Sequence, residues 1–162
     1  MDPFFAWVED GAFSTALRES DYGFSLPLVV HIASVALVAG TTLPISLRLL
    51  GALKGVPPAA LLKFLPIFWA GLLISAASGT LLVIAYPTKI LTNPLFYLKI
   101  AAIAAAIAVV WRVRRALRAP DTSFREVPYG RQLAMASLAL WAFTIAAGRL
   151  LAYTYTRLMV GF

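Results

Sequence analysis

Cysteine is absent from this chain of 162 residues, histidine occurs once, and acidic residues number only seven. The missing cysteine removes disulfides, iron–sulfur clusters and thiolate-held zinc together, although it fixes no compartment. A single histidine, His31, leaves no pair of imidazoles for a haem held on both faces by this chain alone. Charge of either sign is scarce: 13% of residues are charged, where a soluble domain carries roughly a quarter. What is abundant is apolar: 61% of residues are hydrophobic and the mean hydropathy is +0.85. Too little polar surface remains to cover a water-soluble body of this size.

The apolar residues fall into four runs, about Leu26–Leu47, Leu61–Tyr86, Pro94–Trp111 and Leu133–Tyr153. Each approaches or passes the roughly 20 residues a helix needs to cross about 30 Å of hydrocarbon. Barrel strands alternate every second residue and are much shorter. The expected fold is therefore all-α: one integral membrane domain over residues 1–162, a four-helix transmembrane bundle preceded by an interfacial segment at 2–20.

The net charge of +7 does not point to nucleic acid once the charges are placed, because they flank the apolar runs. Nine of the fourteen Lys and Arg lie in two connections: Arg48, Lys54 and Lys63, then Arg112, Arg114, Arg115, Arg118, Arg125 and Arg131. Positive loops stay on the cytoplasmic side, so both termini are expected outside. The first 21 residues agree, with five of the seven acids and Arg18 as the one base. This acidic opening, Met1-Asp2-Pro3, also lacks the basic start of a cleavable leader, so targeting is expected to rest on the first span. Asp2 can cap a helix with Pro3 at its first position. That helix would carry Phe4, Phe5, Trp7 and Val8 as an aromatic face for the outer interface, interrupted by Gly11.

Small residues recur at helical spacing: Gly71, Ser75 and Gly79 in the second run, Ala36 and Gly40 in the first, alanines from Ala101 to Ala108 in the third, and Ala142, Ala146, Ala147 and Gly148 in the fourth. Such residues let membrane helices approach closely, so they are expected inside the bundle. Gly55 and Pro57-Pro58 are expected to end the first helix and form a tight return. Pro44 and Pro66 are expected to kink their helices, with Thr41 and Thr42 satisfying a freed carbonyl. The loop 119–130, with Pro120, Asp121, Glu126 and Pro128, reads as solvated.

Threading the runs through a bilayer brings His31, Lys99 and Arg149 to one depth near the outer face, with His31 roughly 7 Å in at the helical rise. Ionisable groups below the headgroups are candidate sites by default. His31 shares a face with Ser34, Val35, Val38 and Thr42, and Arg149 shares one with Ile145, Ala142 and Tyr153. Ser78, Thr80 and Tyr86 are further candidates from the second run. The expected binding set is His31, Ser34, Lys99, Arg149 and Tyr153, rich in donors and without a carboxylate. Two cations beside an imidazole suit a lipid phosphate, a quinone oxygen, a haem propionate or a partner's carboxylate. The plainer alternative has both cations snorkelling to headgroups and His31 bonded to a neighbouring helix. No catalytic residues are expected, since no acid is available to orient His31 and Ser34 lacks a third partner. No metal site is expected either.

MDPFFAWVED with ALRES, then His31, Gly40 and Arg48-Leu49-Leu50-Gly51, resembles a family of uncharacterised small bacterial four-span inner-membrane proteins. Asn93-Pro94-Leu95-Phe96-Tyr97-Leu98-Lys99 and Ala147-Gly148-Arg149 share that resemblance. The layout is more distantly similar to copper-resistance membrane domains and cytochrome-b-like bundles. The resemblance implies the fold, an inner-membrane location and a shared set of His31, Lys99 and Arg149; it implies no activity. The leading expectation is a non-catalytic accessory subunit of a membrane complex, with lipid or quinone as candidate ligand. Its partners would be membrane lipids and other integral subunits or further copies. The alternatives are a redox subunit holding haem or quinone through His31, and a small oligomeric transporter. Haem faces a ligand shortage: Met135 falls near the opposite face, and Met1 and Met159 lie at the termini. The absence of any cofactor is the plainer expectation.

Overall fold

A computed structural model describes residues 3–117, 127 and 129–158. Eight helices follow in order: α1 (Pro3–Glu9), α2 (Ala12–Glu19), α3 (Ser25–Leu49), α4 (Pro58–Leu62), α5 (Leu65–Ala85), α6 (Pro87–Leu91), α7 (Pro94–Leu117) and α8 (Gly130–Leu158). Four stretches, Ser25–Leu49, Ala60–Ala85, Pro94–Leu117 and Gly130–Tyr153, are long and apolar enough to cross a membrane. The protein is all-α and multi-pass, a four-helix transmembrane bundle. The Asp2 cap, Met1, Met159, Arg118, Pro120, Asp121, Arg125, Glu126 and Pro128 lie outside the described residues.

The buried faces of the long helices mix small and polar residues with their apolar ones, and many of the large apolar side chains point out. Ser34, Val38, Thr41, Thr42, Ile45 and Ser46 are buried on α3, and Ala102, Ala106, Val110, Val113 and Leu117 on α7. Ala134, Ser137, Trp141, Thr144 and Ala147 form the inner face of α8, while Leu26, Ile32, Leu73, Leu98, Phe143 and Leu150 are exposed. This inversion suits a solvent as apolar as leucine, where contact between helices depends on close packing. The buried hydroxyls of α3 are satisfied by bonding back into their own helix: Thr41 Oγ1 to Val38 O at 2.9 Å, Thr42 Oγ1 to Ala39 O at 2.9 Å and Ser46 Oγ to Thr42 O at 3.1 Å. Polarity thus continues into the middle of the bundle. Thr41 and Thr42 serve the carbonyls of Val38 and Ala39, not that of Gly40, which faces Pro44.

The core joins all four long helices, with Val38 from α3, Leu65 and Phe68 from α5, Ala106 and Val110 from α7 and Trp141 from α8. Phe68 meets Trp141 edge-on, ring centroids 6.2 Å apart. Backbone packing is closest between α3 and α5, then α7 and α8, then α3 and α8. Gly71 makes the first of these contacts: a Cβ there would stand 3.0 Å from Val38 Cγ2 and 3.4 Å from Ser34 O. The small-residue stripe of α5 therefore faces α3 as expected. Ala36 and Gly40 do not enter the bundle; both are exposed, and a Cβ on Gly40 would meet nothing within 4 Å. On α7 and α8, Ala102, Ala106 and Ala147 turn inward while Ala101, Ala104, Ala105, Ala108, Ala142 and Ala146 are exposed.

Helix ends differ from the expected ones in three places. Gly51, not Gly55 or the proline pair, terminates α3: its φ is +91°, and Gly51 N–H and Ala52 N–H donate to Arg48 O and Leu47 O, a Schellman arrangement. Pro58 then starts α4. A turn at Lys63–Phe64 separates α4 from α5, so Pro66 falls in the first turn of α5 and begins a helix where a kink was expected. The third run continues as helix past Trp111 to Leu117. The start of α7 follows the sequence: Asn93 Oδ1 accepts from Leu95 N–H at 3.0 Å, ahead of Pro94.

The N-terminal segment forms two helices, separated around Gly11. Both pack at one end of the bundle, against α5 and α6; this is the cap end. Ser14 Oγ donates to Ile84 O at 2.8 Å, and Arg18 donates to Ala85 O at 2.9 Å, Glu9 O at 2.7 Å and Ser14 Oγ at 2.6 Å. The last carbonyls of α5 are thus satisfied from outside the helix. The opposite, basic end carries Arg48, Lys54, Lys63, Arg112, Arg114, Arg115 and Arg131.

Candidate functional site

His31 enters the bundle from α3 two turns below the cap end and meets α5. Its Nδ1 lies 2.9 Å from Ser75 O and 3.2 Å from Ser78 Oγ. A carbonyl oxygen only accepts, so Nδ1 carries a proton and donates to it. Ser78 spends its own O–H on Ile74 O at 2.7 Å, leaving lone pairs toward the imidazole. This arrangement fixes the ring and leaves Nε2 as its open nitrogen, an acceptor in the neutral imidazole and a donor in the charged one. Gly79 supplies the room: a Cβ there would stand 3.0 Å from His31 Cε1 and 3.4 Å from Nδ1. Ser34, also expected in the set, is buried and donates to His31 O at 2.9 Å, so it braces the backbone of α3 beneath the ring.

Lys99 comes from the first turns of α7 and is half-buried. Its Nζ lies 3.5 Å from where a Cβ on Gly148 would be. A second glycine thus opens space for a second polar side chain. Ser75 O, Ser78 and Gly79 thus surround His31, and Gly148 lies beside Lys99. The spans contain no Asp or Glu, so no fixed anion of the bundle neutralises Lys99.

Arg149 follows Gly148, which lies beside Lys99, but stands on another surface. It is exposed on α8, with its Cζ 5.8 Å from the ring centroid of Tyr153, which is 60% exposed. These two residues pair with each other by a cation–π contact on the exposed side of α8. The structure therefore divides the expected set into His31, Ser34 and Lys99 within the bundle and Arg149 with Tyr153 on its outside. Thr80 is exposed and bonded to Ala76 O at 2.9 Å. Tyr86 belongs to the cap, where Arg18 and Lys89 each lie 5.9 Å from its ring centroid. Met135 stands near the start of α8 at the basic end, 53% exposed, far from His31. Among the described residues no cluster of three or more His, Cys, Asp or Glu could hold a metal ion.

Three contributors were missed by the residue types alone: the Ser75 carbonyl, Gly79 and Gly148. The four-residue spacing of Ser75 and Gly79 carried the available signal, since it places both on the face that turns toward α3. Two buried polar atoms on α8, Trp141 Nε1 and Thr144 Oγ1, have no hydrogen-bond partner, as does Arg114 Nε on α7.

A family model described as a family of unknown function (DUF6644) matches residues 4–154. Neither the curated proteins nor the solved structures contain a match.

Proposed function

The chain belongs to the DUF6644 family of unknown function, and we propose that it is a non-catalytic subunit of a larger assembly in a bacterial inner membrane. In this reading the His31–Lys99 site binds the oxygen of a quinone or of a lipid headgroup. The carrying observation is the fixed imidazole: Nδ1–H is committed to Ser75 O at 2.9 Å, which leaves Nε2 for a ligand in a bundle whose spans supply no acid to answer Lys99. Lys99 would donate to a carbonyl or phosphate oxygen, and Nε2 would accept from a quinol hydroxyl. Basic residues at the end away from α1 and α2 favour that end as cytoplasmic. The cap and the site would then face outward, with α1 and α2 lying at the interface. Exposed small faces, Ala36 with Gly40 on α3 and Ala101, Ala105 and Ala108 on α7, suit lateral association with other helices or further copies.

The test is titration of a short-chain benzoquinone into the purified protein, alongside mass analysis of lipids and subunits retained after gentle detergent extraction. Lys99→Met is expected to weaken quinone binding at least about tenfold, the loss of one hydrogen bond to a charged group. Arg149→Gln is expected to leave binding unchanged. If saturable quinone binding is absent while an anionic lipid is retained and lost in Lys99→Met, the ligand is the lipid. Equal losses in both variants, or none in either assay, would overturn the site. Isolation without any further subunit or self-association would overturn the accessory role.

One observation favours haem as a second reading. Imidazoles that ligate metals commonly donate their other N–H to a carbonyl, and His31 does so toward Ser75. A Soret band in the purified protein, lost in His31→Ala, is its expected signature.

A further inference from the structure

A groove of about 330 Å³ runs over the cap end, lined by Trp7, Val8, Phe13 and Ile84, with Asp10 and Ser14 among them. Its size lies within the roughly 300–1,000 Å³ of small-molecule sites. Trp7 is 73% exposed and Phe13 59%, and both stand where the spans end and a bilayer's headgroups would begin. The polar chemistry of the groove is one-sided. Asp10 is exposed and its carboxylate makes no hydrogen bond or ion pair among the described residues. Arg18 does not line the groove; its guanidinium is taken up by Ser14 Oγ, Ala85 O and Glu9 O. Ser14 likewise commits its hydroxyl to Ile84 O.

A carboxylate beside two open aromatic faces recognises an organic ammonium, through a charge-assisted hydrogen bond and cation–π contacts. Val8 and Ile84 add an apolar floor of the kind that holds a hydrocarbon chain. The charge of the segment agrees, since residues 3–21 carry Glu9, Asp10, Glu19 and Asp21 against Arg18 as their one base. An anionic headgroup would meet repulsion here. We propose that this groove binds the ammonium headgroup of an aminophospholipid, with Asp10 as counter-ion, Trp7 and Phe13 as its aromatic walls, and the first part of an acyl chain along Val8 and Ile84. This site is separate from His31 and Lys99 and does not depend on their ligand.

The test uses the full chain in phosphatidylglycerol nanodiscs doped with acyl-brominated phosphatidylethanolamine or, in parallel, acyl-brominated phosphatidylglycerol. Four tryptophans fluoresce, so the difference between wild type and Trp7→Phe isolates the signal of Trp7. Half-quenching of Trp7 is expected at a mole fraction at least fivefold lower for the ethanolamine lipid than for the glycerol lipid. Asp10→Asn is expected to make the two curves coincide, and Asp10→Glu to preserve their separation. Unchanged helicity by circular dichroism confirms that the exposed substitution leaves the fold intact. Coincident curves in the wild type, or a preference that survives Asp10→Asn, would overturn the proposal.

Discussion

His31 is anchored to a backbone atom, so the side chain at position 75 is dispensable for its orientation. Ser75→Ala is expected to keep the imidazole bond and to change stability by less than about 0.5 kcal/mol, read by thermal unfolding in detergent. Gly79 behaves differently. The Cβ of Gly79→Ala would press on His31 Cε1 at 3.0 Å, so the ring must turn away from Ser75 O. A loss on the order of 1 kcal/mol is expected, in line with overpacking, together with weakened quinone binding; unchanged binding would show that the ring has room. Thr144 presents the opposite case, with a buried hydroxyl that has no partner. Replacing an unsatisfied polar group by an apolar isostere removes a penalty, so Thr144→Val is expected to leave the unfolding temperature unchanged or raise it. The shared level of Lys99 and Arg149 along the bundle was legible because it follows from counting residues. The direction each side chain faces was not, because neighbouring positions on a helix lie about 100° apart. Gly148 looks inward, and Arg149, one step on, meets Tyr153 outside.

At the scale of helices, termination carries the clearest energetic consequence. Gly51 holds φ +91°, a conformation that L side chains resist. Gly51→Ala is expected to lower stability by about 1 kcal/mol, again by thermal unfolding, whereas Gly55→Ala in the same turn is expected to be close to neutral. Arg18 makes a comparable contribution from a distance. Removing hydrogen bonds to a charged donor costs roughly 1.5–3 kcal/mol, so Arg18→Gln is expected to loosen α1 and α2, visible as faster amide exchange in residues 3–19 with the long helices still protected. The long helices themselves were legible because apolar runs of this length leave backbone groups no other means of satisfaction in lipid. Their ends were less so. A proline reads equally as a kink or a first turn, and only the turn at Lys63–Phe64 decides between them for Pro66.

For the whole molecule, the distribution of basic residues makes orientation the most direct quantity to measure. The absence of native cysteine allows single introduced thiols without background. Tyr22→Cys is expected to react with a membrane-impermeant maleimide in intact cells, and Lys54→Cys only after permeabilisation; the reverse pattern would invert the topology and place the His31–Lys99 site inside. The bundle's composition was readable in advance, but its assignment of small residues to faces was not. Gly71, Ser75 and Gly79 pack on α3, whereas Ala36 and Gly40 present the same spacing to the exterior. Periodicity establishes that residues share a stripe; which neighbour covers it depends on how the helices are arranged around one another.

The clasp between Arg18 and Ala85 spans 67 positions of chain, and this separation orders events during synthesis. The first two helices leave the ribosome well before the carbonyls they cap. They must wait at the membrane surface while two spans are threaded, and they close over the bundle only when the second span has reached its full depth. The cap can thus close once the second span is complete, with the third and fourth spans still to come.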